Sequence, residues 1–155
     1  MKRLAWLLLI SILFFGCVSD TQGTAVNQNN STTLPQNHSI DENITVEVYH
    51  FHGNHQCQSC IKVGELAEKT VNTYFKDELE SGKLVFGHIN GELPENKGLV
   101  DKYGVTSSSL WIGTYVNGEF HKEQNVDVWY KINNEAEYLE YLKGILKRRL
   151  SGELN

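Results

Sequence analysis

The stretch GNHQCQSC, residues 53–60, lies between an apolar run and an amphipathic run, and it determines how the other segments are interpreted. The residues before it, ITVEVYHF at 44–51, are mostly β-branched or aromatic and predict a β-strand. The residues after Cys60 have the three- and four-residue apolar spacing of a helix. Two cysteines separated by two residues can close a small disulfide ring or bind one soft metal ion. We therefore expect reactive chemistry between this strand and this helix.

Cys57 is predicted to lie at the N-terminus of the helix. Unpaired backbone N–H groups and the positive end of the helix dipole favour a thiolate there. Such a position can lower the pKa of a cysteine from about 8.5 to roughly 3.5–7.5. Cys57 is therefore the expected attacking sulfur, and Cys60, one turn later, is the expected resolving sulfur. Gln58 and Ser59 carry no charge, and both can donate hydrogen bonds that stabilise a thiolate.

The chain has 155 residues with a formal charge of −5 at pH 7, which suits one acidic domain. An acidic chain lacks the basic surface that neutralises phosphates, so nucleic acid is not an expected partner. The sequence contains no dinucleotide-binding glycine motif, Walker loop or nucleophile elbow. The chemistry is therefore expected at the cysteine pair, and the third cysteine, Cys17, is a separate feature.

Residues 1–17 have the pattern of an export signal, with Lys2 and Arg3 ahead of an apolar core of about a dozen residues. That core is too short for the roughly 20 residues of a membrane-spanning helix. The segment LFFGC, residues 13–17, resembles the lipobox of prokaryotic lipoproteins, which implies lipidation of Cys17. An uncleaved anchor and a simple signal peptide are the alternatives. Each predicts an exported domain, and we expect it to be anchored on the extracytoplasmic face of the cell membrane.

Residues 18–43 are rich in Asn, Thr, Ser and Gln and have few large apolar side chains. Such a composition buries too little apolar surface to offset the conformational entropy lost on ordering, so a flexible linker is predicted. The folded domain is expected to span residues 44–150.

Within that domain, one helix is predicted from the cysteine pair through Leu79, with Ser81-Gly82 as its end. Strand patterns follow at 83–90, 110–116 and from 119 onward, with Asn117-Gly118 as a type I′ hairpin turn. Pro94 is placed to begin a short helix that Gly104 closes. Asn133 or Asn134 can cap a last helix.

The resulting order, β-α-β-α-β-β-α with Cys-x-x-Cys after the first strand, resembles the core of the thioredoxin fold. Tyr103-Gly104-Val105 and Asn117-Gly118-Glu119 are similar to the corresponding thioredoxin segments. The resemblance implies an α/β protein with a central mixed sheet of about four strands flanked by helices.

A closer resemblance is to the thioredoxin-like family catalogued as nitrophenyl compound nitroreductase subunit ArsF. It is carried by the cysteine pair and by residues 46–53, 81–86, 94–97 and 108–110. The family name implies a link to nitroaromatic reduction, but nothing in the sequence indicates a flavin site.

Ser109 marks a departure from the thioredoxin pattern. Thioredoxins carry a cis-proline before the third strand, and the alignment through Tyr103-Gly104-Val105 places Ser109 at that position. A cis bond before a residue other than proline costs about 2.5–4 kcal/mol, so a trans peptide is expected here. The change opens the space above the thiols to a metal or to a different substrate.

Three histidines precede the cysteine pair. His50 and His52 are expected to point to the same side of the strand, and His55 lies in the loop. A protonated His55 would stabilise the thiolate, whereas a neutral His55 could join Cys57 and Cys60 in binding Zn or Cu(I). The alternative is that His50 and His52 are hydrogen-bonded strand residues and His55 is solvated. His88 and His121 are interpreted as structural.

Three functions are consistent with these patterns. The first is a membrane-tethered thiol-disulfide oxidoreductase that needs no cofactor and acts on a protein thiol or disulfide partner, including a membrane protein. The second is a metal-binding or metal-delivery module for Cu(I) or Zn that uses Cys57, Cys60 and His55. The third is a non-catalytic accessory subunit on a thioredoxin scaffold.

Overall fold

The structure is a computed structural model that describes residues 44–154. These residues form one sheet and four α-helices. The strands are β1 (Thr45–His52), β2 (Leu84–Asn90), β3 (Ser109–Val116) and β4 (Glu119–Gln124). The helices are α1 (Gln58–Tyr74), α2 (Lys76–Glu80), α3 (Lys97–Tyr103) and α4 (Glu135–Leu150). Short 3₁₀ turns at Pro94–Asn96 and Asp127–Tyr130 precede α3 and α4.

The sheet is mixed and has the strand order β2-β1-β3-β4. β1 pairs parallel with β2 and antiparallel with β3, and β3 forms an antiparallel hairpin with β4. Parallel neighbours need a crossover connection, which α1 and α2 supply. This topology confirms the predicted α/β, thioredoxin-like fold with four strands flanked by helices.

Local sequence signals account for several turns and helix ends. Asn117 and Gly118 both have positive φ, 53° and 82°, as a type I′ hairpin turn requires. Gly104 ends α3 with a φ of 73°. The side chain of Asn134 accepts a hydrogen bond of 3.2 Å from the backbone N–H of Glu137 and so caps α4. These predicted turn and cap positions are confirmed.

The prediction of one continuous helix through Leu79 is wrong at Phe75. Phe75 has φ −134° and ψ 33°, outside the helical region, and it separates α1 from α2. Its ring is only 1% exposed, so the kink directs this side chain into the core. The four-residue spacing of Val71, Phe75 and Leu79 continues across the break, which is why the periodicity gave no sign of it.

One face of the sheet is covered by α1 and α4. The core there is aliphatic except for Phe75 and Tyr138, and burying such side chains contributes about 1.5–3 kcal/mol each. Its most buried members are Val46, Val48, Val63, Ala67, Val71, Phe75, Leu84, Leu110, Ile112, Val128, Tyr138, Leu142 and Leu146.

The other face carries an aromatic cluster against α3. Because side chains alternate along β1, Glu47, Tyr49 and Phe51 point to this side. One carboxylate oxygen of Glu47 accepts hydrogen bonds of 2.6 Å from the Tyr103 hydroxyl and from the Lys102 ammonium group. Burial, followed by this contact with Glu47, raises the pKa of Tyr103 far above its ordinary value. Glu47 therefore links β1 to α3 through these two hydrogen bonds.

The predicted export segment 1–17, with Cys17, and the predicted linker 18–43 lie outside the described residues. Within residues 44–154, no helix combines the length and the hydropathy needed to cross a membrane.

Candidate active site

The cysteine pair lies where the loop after β1 enters α1. Cys57 is the N-cap residue of α1 and is exposed, whereas Cys60 is half-buried in the first turn. The two sulfurs are joined in a disulfide, and the Cα atoms are 5.1 Å apart. The backbone N–H of Cys60 donates a hydrogen bond of 3.2 Å to Sγ of Cys57. Sγ of Cys57 therefore caps the N-terminus of α1, as the side chain of Asn134 caps the N-terminus of α4.

The electrostatic setting of Cys57 favours a negative charge on its sulfur once the disulfide is reduced. The first turn of α1 contains no acidic residue that would oppose the positive end of the helix dipole. The Cys60 N–H already points at the sulfur, so it needs little rearrangement to stabilise a thiolate. Cys57 is the more exposed residue of the pair, and the roles of attacking sulfur for Cys57 and resolving sulfur for Cys60 stay a prediction.

The polar neighbours of the pair are solvent-exposed. Gln58 and Ser59 occupy the first turn of α1, and His55 lies in the loop two residues before Cys57. His55 lines a cleft of about 300 Å³ beside the cysteine loop, between the loop after β2 and the segment before β3. The side chains that give this cleft its polar character are His52, His55, Glu92, Thr106, Ser107 and Ser108.

Ser109, the residue at the predicted cis-proline position, begins β3 and is 1% exposed. Its hydroxyl donates a hydrogen bond of 2.8 Å to the Ser107 carbonyl and accepts one of 3.0 Å from the Trp111 indole N–H. The hydroxyl is therefore engaged within the fold, and Ser107 and Ser108 present their surfaces to the cleft instead.

A metal site would need ligands that converge. Within residues 44–154, no group of three or more His, Cys, Asp or Glu side chains is arranged to hold a metal ion. The sulfurs of Cys57 and Cys60 are bonded to each other. Metal binding by Cys57, Cys60 and His55 stays a prediction.

A histidine cluster lies beneath the cysteine pair. The sequence predicted that His50 and His52 share one side of β1, but it did not place His88 beside them. As expected, His50 and His52 point to the same side of β1, with ring centroids 5.6 Å apart. The register of β1 and β2 places His88 directly beside His50, and their Nδ1 atoms are 3.0 Å apart. Nε2 of His88 lies 3.4 Å from a carboxylate oxygen of Glu68 on α1.

His50 is held in its neutral form. Burial, followed by the nearby His88 and His52, lowers the pKa of His50 to about 4, while the backbone of Cys60 acts in the opposite direction. The ring is 1% exposed, and its Nε2 atom has no hydrogen-bond partner among residues 44–154. Among the buried side-chain nitrogen and oxygen atoms of residues 44–154, Nε2 of His50 is the one without a well-aligned hydrogen bond.

The low pKa of His50 predicts a loss of stability in acid. The unfolded state takes up a proton near pH 6.5 and the folded state only near pH 4, so stability falls as pH decreases through this window. Between about pH 7 and pH 4.5 we expect His50 to remove about 2 kcal/mol from the free energy of unfolding. Urea unfolding at both pH values checks this for the wild type and for His50→Gln. An equal pH dependence in the two proteins would contradict it.

Strand order, pairing and the disulfide at the N-terminus of α1 together define a thioredoxin-like domain with a Cys-x-x-Cys pair. No protein-family model and no curated protein matches the sequence. Among solved structures, the chain is similar to thioredoxin O2 from Arabidopsis thaliana in its oxidised state, with 12% sequence identity and a TM-score of 0.41. The match covers 67% of this chain and 74% of the plant protein. The fold assignment rests on the topology described above.

Proposed function

We propose that this chain is a membrane-tethered, extracytoplasmic thiol-disulfide oxidoreductase. The observation that carries the redox part is the position of the exposed residue Cys57, whose sulfur caps α1 and is disulfide-bonded to Cys60. Export and tethering are supported by the sequence of residues 1–17, with Cys17 as the lipidation site, and by the composition of residues 18–43.

The reaction needs no cofactor because both electrons reside in the sulfur atoms. In the dithiol form, the Cys57 thiolate attacks a disulfide of the partner, forms a mixed disulfide and releases one partner thiolate. Cys60 then attacks Cys57, which closes the intramolecular disulfide and releases the second partner thiolate. The cysteine pair loses two electrons and the partner disulfide gains them. The reverse sequence oxidises a partner dithiol.

The partner is a protein thiol or disulfide on the same side of the membrane, including a membrane protein. The cleft beside the cysteine loop, lined by His52, His55 and Glu92, is a candidate for contacts with it. The resemblance to the ArsF family remains a prediction, and nitroaromatic reduction is not part of the proposed function.

Trapping with the Cys60→Ser variant tests the proposal. The variant keeps the attacking sulfur but cannot resolve the mixed disulfide, so we expect a covalent adduct with the partner that disappears on reduction. Non-reducing electrophoresis of membranes followed by mass spectrometry measures it. The Cys57→Ser/Cys60→Ser double variant retains Cys17 and is the matched control. Equal adducts in both variants would assign the trapping to Cys17 and contradict the proposal.

The native mass of the full-length protein, purified without chelator, tests the same site independently. The disulfide form should be two hydrogens lighter than the dithiol form, and Cys57 and Cys60 should alkylate only after reduction. A stoichiometric metal that protects both thiols from alkylation would overturn the redox assignment in favour of metal binding.

A further inference from the structure

The cleft beside the cysteine loop combines apolar surface with one negative charge. Its volume of about 300 Å³ lies at the lower limit for small-ligand sites, so it suits one long side chain rather than an organic cofactor. Phe51, Val100 and Val105 form its apolar wall. Glu92 is the one carboxylate among the described residues that line it.

The carboxylate of Glu92 lies over the backbone of the cysteine loop. A Cβ atom added at Gly53 would be 2.6 Å from Oε1 of Glu92, so this oxygen occupies the space that a larger residue at position 53 would need. Gly53 is four residues before Cys57 in the same loop. The negative charge is therefore held beside the segment that carries Cys57.

Two hydrogen bonds join the loop after β1 to the loop after β2, and a third orients Glu92. The backbone N–H of Gly91 donates to the His52 carbonyl at 2.8 Å. The side-chain amide of Asn90 donates to the side-chain oxygen of Asn54, also at 2.8 Å. The side-chain oxygen of Asn90 in turn accepts a hydrogen bond of 3.0 Å from the backbone N–H of Glu92. The cleft is therefore built by the fold before any partner arrives.

The chain itself supplies no cation to Glu92. None of the ion pairs among residues 44–154 includes this carboxylate. The two lysines of the adjacent helix α3, Lys97 and Lys102, are each paired with another carboxylate. The predicted linker 18–43 contains no lysine or arginine. The charge of Glu92 is therefore available to a partner.

We infer that this cleft binds a lysine or arginine side chain of the partner protein, close to the partner's reactive cysteine. The inference rests on the proposed redox function and deepens it, because it gives the partner a chemical property that the cysteine pair alone does not select. The methylene stem of such a side chain fits the apolar wall, and its cationic head pairs with Glu92. The hydroxyl groups at 106–108 can accept further hydrogen bonds from the head.

Mixed-disulfide peptides that differ at one residue measure this selection. Each short peptide has one cysteine joined to thionitrobenzoate, and it carries lysine, norleucine or glutamate at one position within three residues of that cysteine. The Cys57 thiolate attacks the peptide sulfur and releases the coloured thionitrobenzoate. The reduced full-length protein is mixed with each peptide, and the rate of Cys57→Ser is subtracted as the background from Cys17.

Norleucine has the stem of lysine without the charge, so the rate ratio of these two peptides isolates the ion pair. Exposed ion pairs change an equilibrium constant by up to about fivefold. We therefore expect the wild type to react about threefold to fivefold faster with lysine at the position that reaches the cleft, and more slowly with glutamate. High salt should reduce the ratio, because it screens exposed charges.

Two variants address the carboxylate in different ways. Glu92→Gln removes the charge and keeps the size, so the ratio of the lysine rate to the norleucine rate should fall to about one. Gly53→Ala keeps the charge but displaces the carboxylate, and Gly53 does not have the positive φ that would strain alanine. It should lower the ratio as well. Glu95→Gln is the matched control, because Glu95 is an exposed carboxylate three residues later that does not line the cleft.

Several outcomes would overturn the inference. The first is a wild type that reacts equally fast with lysine and norleucine at every position, which would assign the cleft to an apolar side chain. The second is a ratio that persists in Glu92→Gln, even if both peptides react more slowly. The third is an equal loss of the ratio in Glu95→Gln, which would show a general effect of net charge. If no peptide disulfide reacts with the reduced wild type, the proposed function fails instead.

Discussion

Replacing Cys57 by serine should abolish disulfide exchange, with a rate loss on the order of 10³ or more. Serine keeps the helix cap, because its hydroxyl can accept the hydrogen bond that the Cys60 N–H donates to Sγ in the wild type. It does not keep the nucleophile, since a serine hydroxyl is not ionised near neutral pH. The variant therefore separates the chemical role of Cys57 from its structural role in α1.

The measurement is the second-order rate of the reduced protein with an aromatic disulfide, together with the circular dichroism of the variant. Thr73→Ala is the matched control, because Thr73 is exposed in the last turn of the same helix and carries no sulfur. A Cys57→Ser variant that retains more than about a tenth of the rate would show that another thiol, such as Cys17, performs the attack.

The second large effect is on stability, and it concerns Gly113 in β3. An added Cβ atom would lie 2.7 Å from Cε2 of Phe120 and 3.0 Å from Cζ of Tyr103. Both rings belong to the cluster under α3, and Tyr103 is held by its hydrogen bond to Glu47, so it cannot retreat freely. We expect Gly113→Ala to lower the free energy of unfolding by about 3 kcal/mol, the upper part of the range for overpacking.

Gly98 in α3 provides a control, because the same substitution there is not expected to lower the free energy of unfolding. Among the described residues, no atom apart from the chain neighbours and the backbone of α3 itself lies within 4 Å of a Cβ added there. Alanine favours the helix over glycine, so Gly98→Ala should be neutral or stabilising by roughly 0.5 kcal/mol. Urea denaturation measures both variants. A Gly113→Ala protein as stable as the wild type would contradict the close packing of Tyr103 over β3.

Several features of this fold are encoded locally and could be predicted from the sequence. The hairpin at Asn117-Gly118 follows from the need for two positive φ angles, which few residue pairs tolerate. The cap at Asn134 and the position of Cys57 before α1 follow from the orphan N–H groups of a helix N-terminus. In each case the physical cause lies within four residues of the signal.

The histidine pair could not be predicted in the same way, because its cause is the register between two strands. His50 and His88 are 38 residues apart, and only the alignment of β1 with β2 brings their rings together. A sequence signal did exist, since each histidine interrupts an apolar strand. Without the register, however, nothing connected the two positions.

Partly buried polar residues are a second feature that periodicity does not predict. Glu47 lies in a strand that alternates apolar and polar residues, and the pattern alone would assign it to solvent. In the structure, Lys102 and Tyr103 satisfy its carboxylate beneath α3. Propensity and periodicity describe a residue's own segment, whereas such a contact depends on which helix the fold brings over it.

The parallel pairing of β1 with β2 has a consequence for the fidelity of folding. Side chains alternate along a strand, so a slip of one residue between these strands would turn His88 away from His50 and toward the opposite face. A misregistered sheet could still close the Cys57–Cys60 ring, because that ring is local. Formation of the Cys57–Cys60 disulfide would therefore not show that the molecule is correctly folded, whereas contact between the imidazoles of His50 and His88 would.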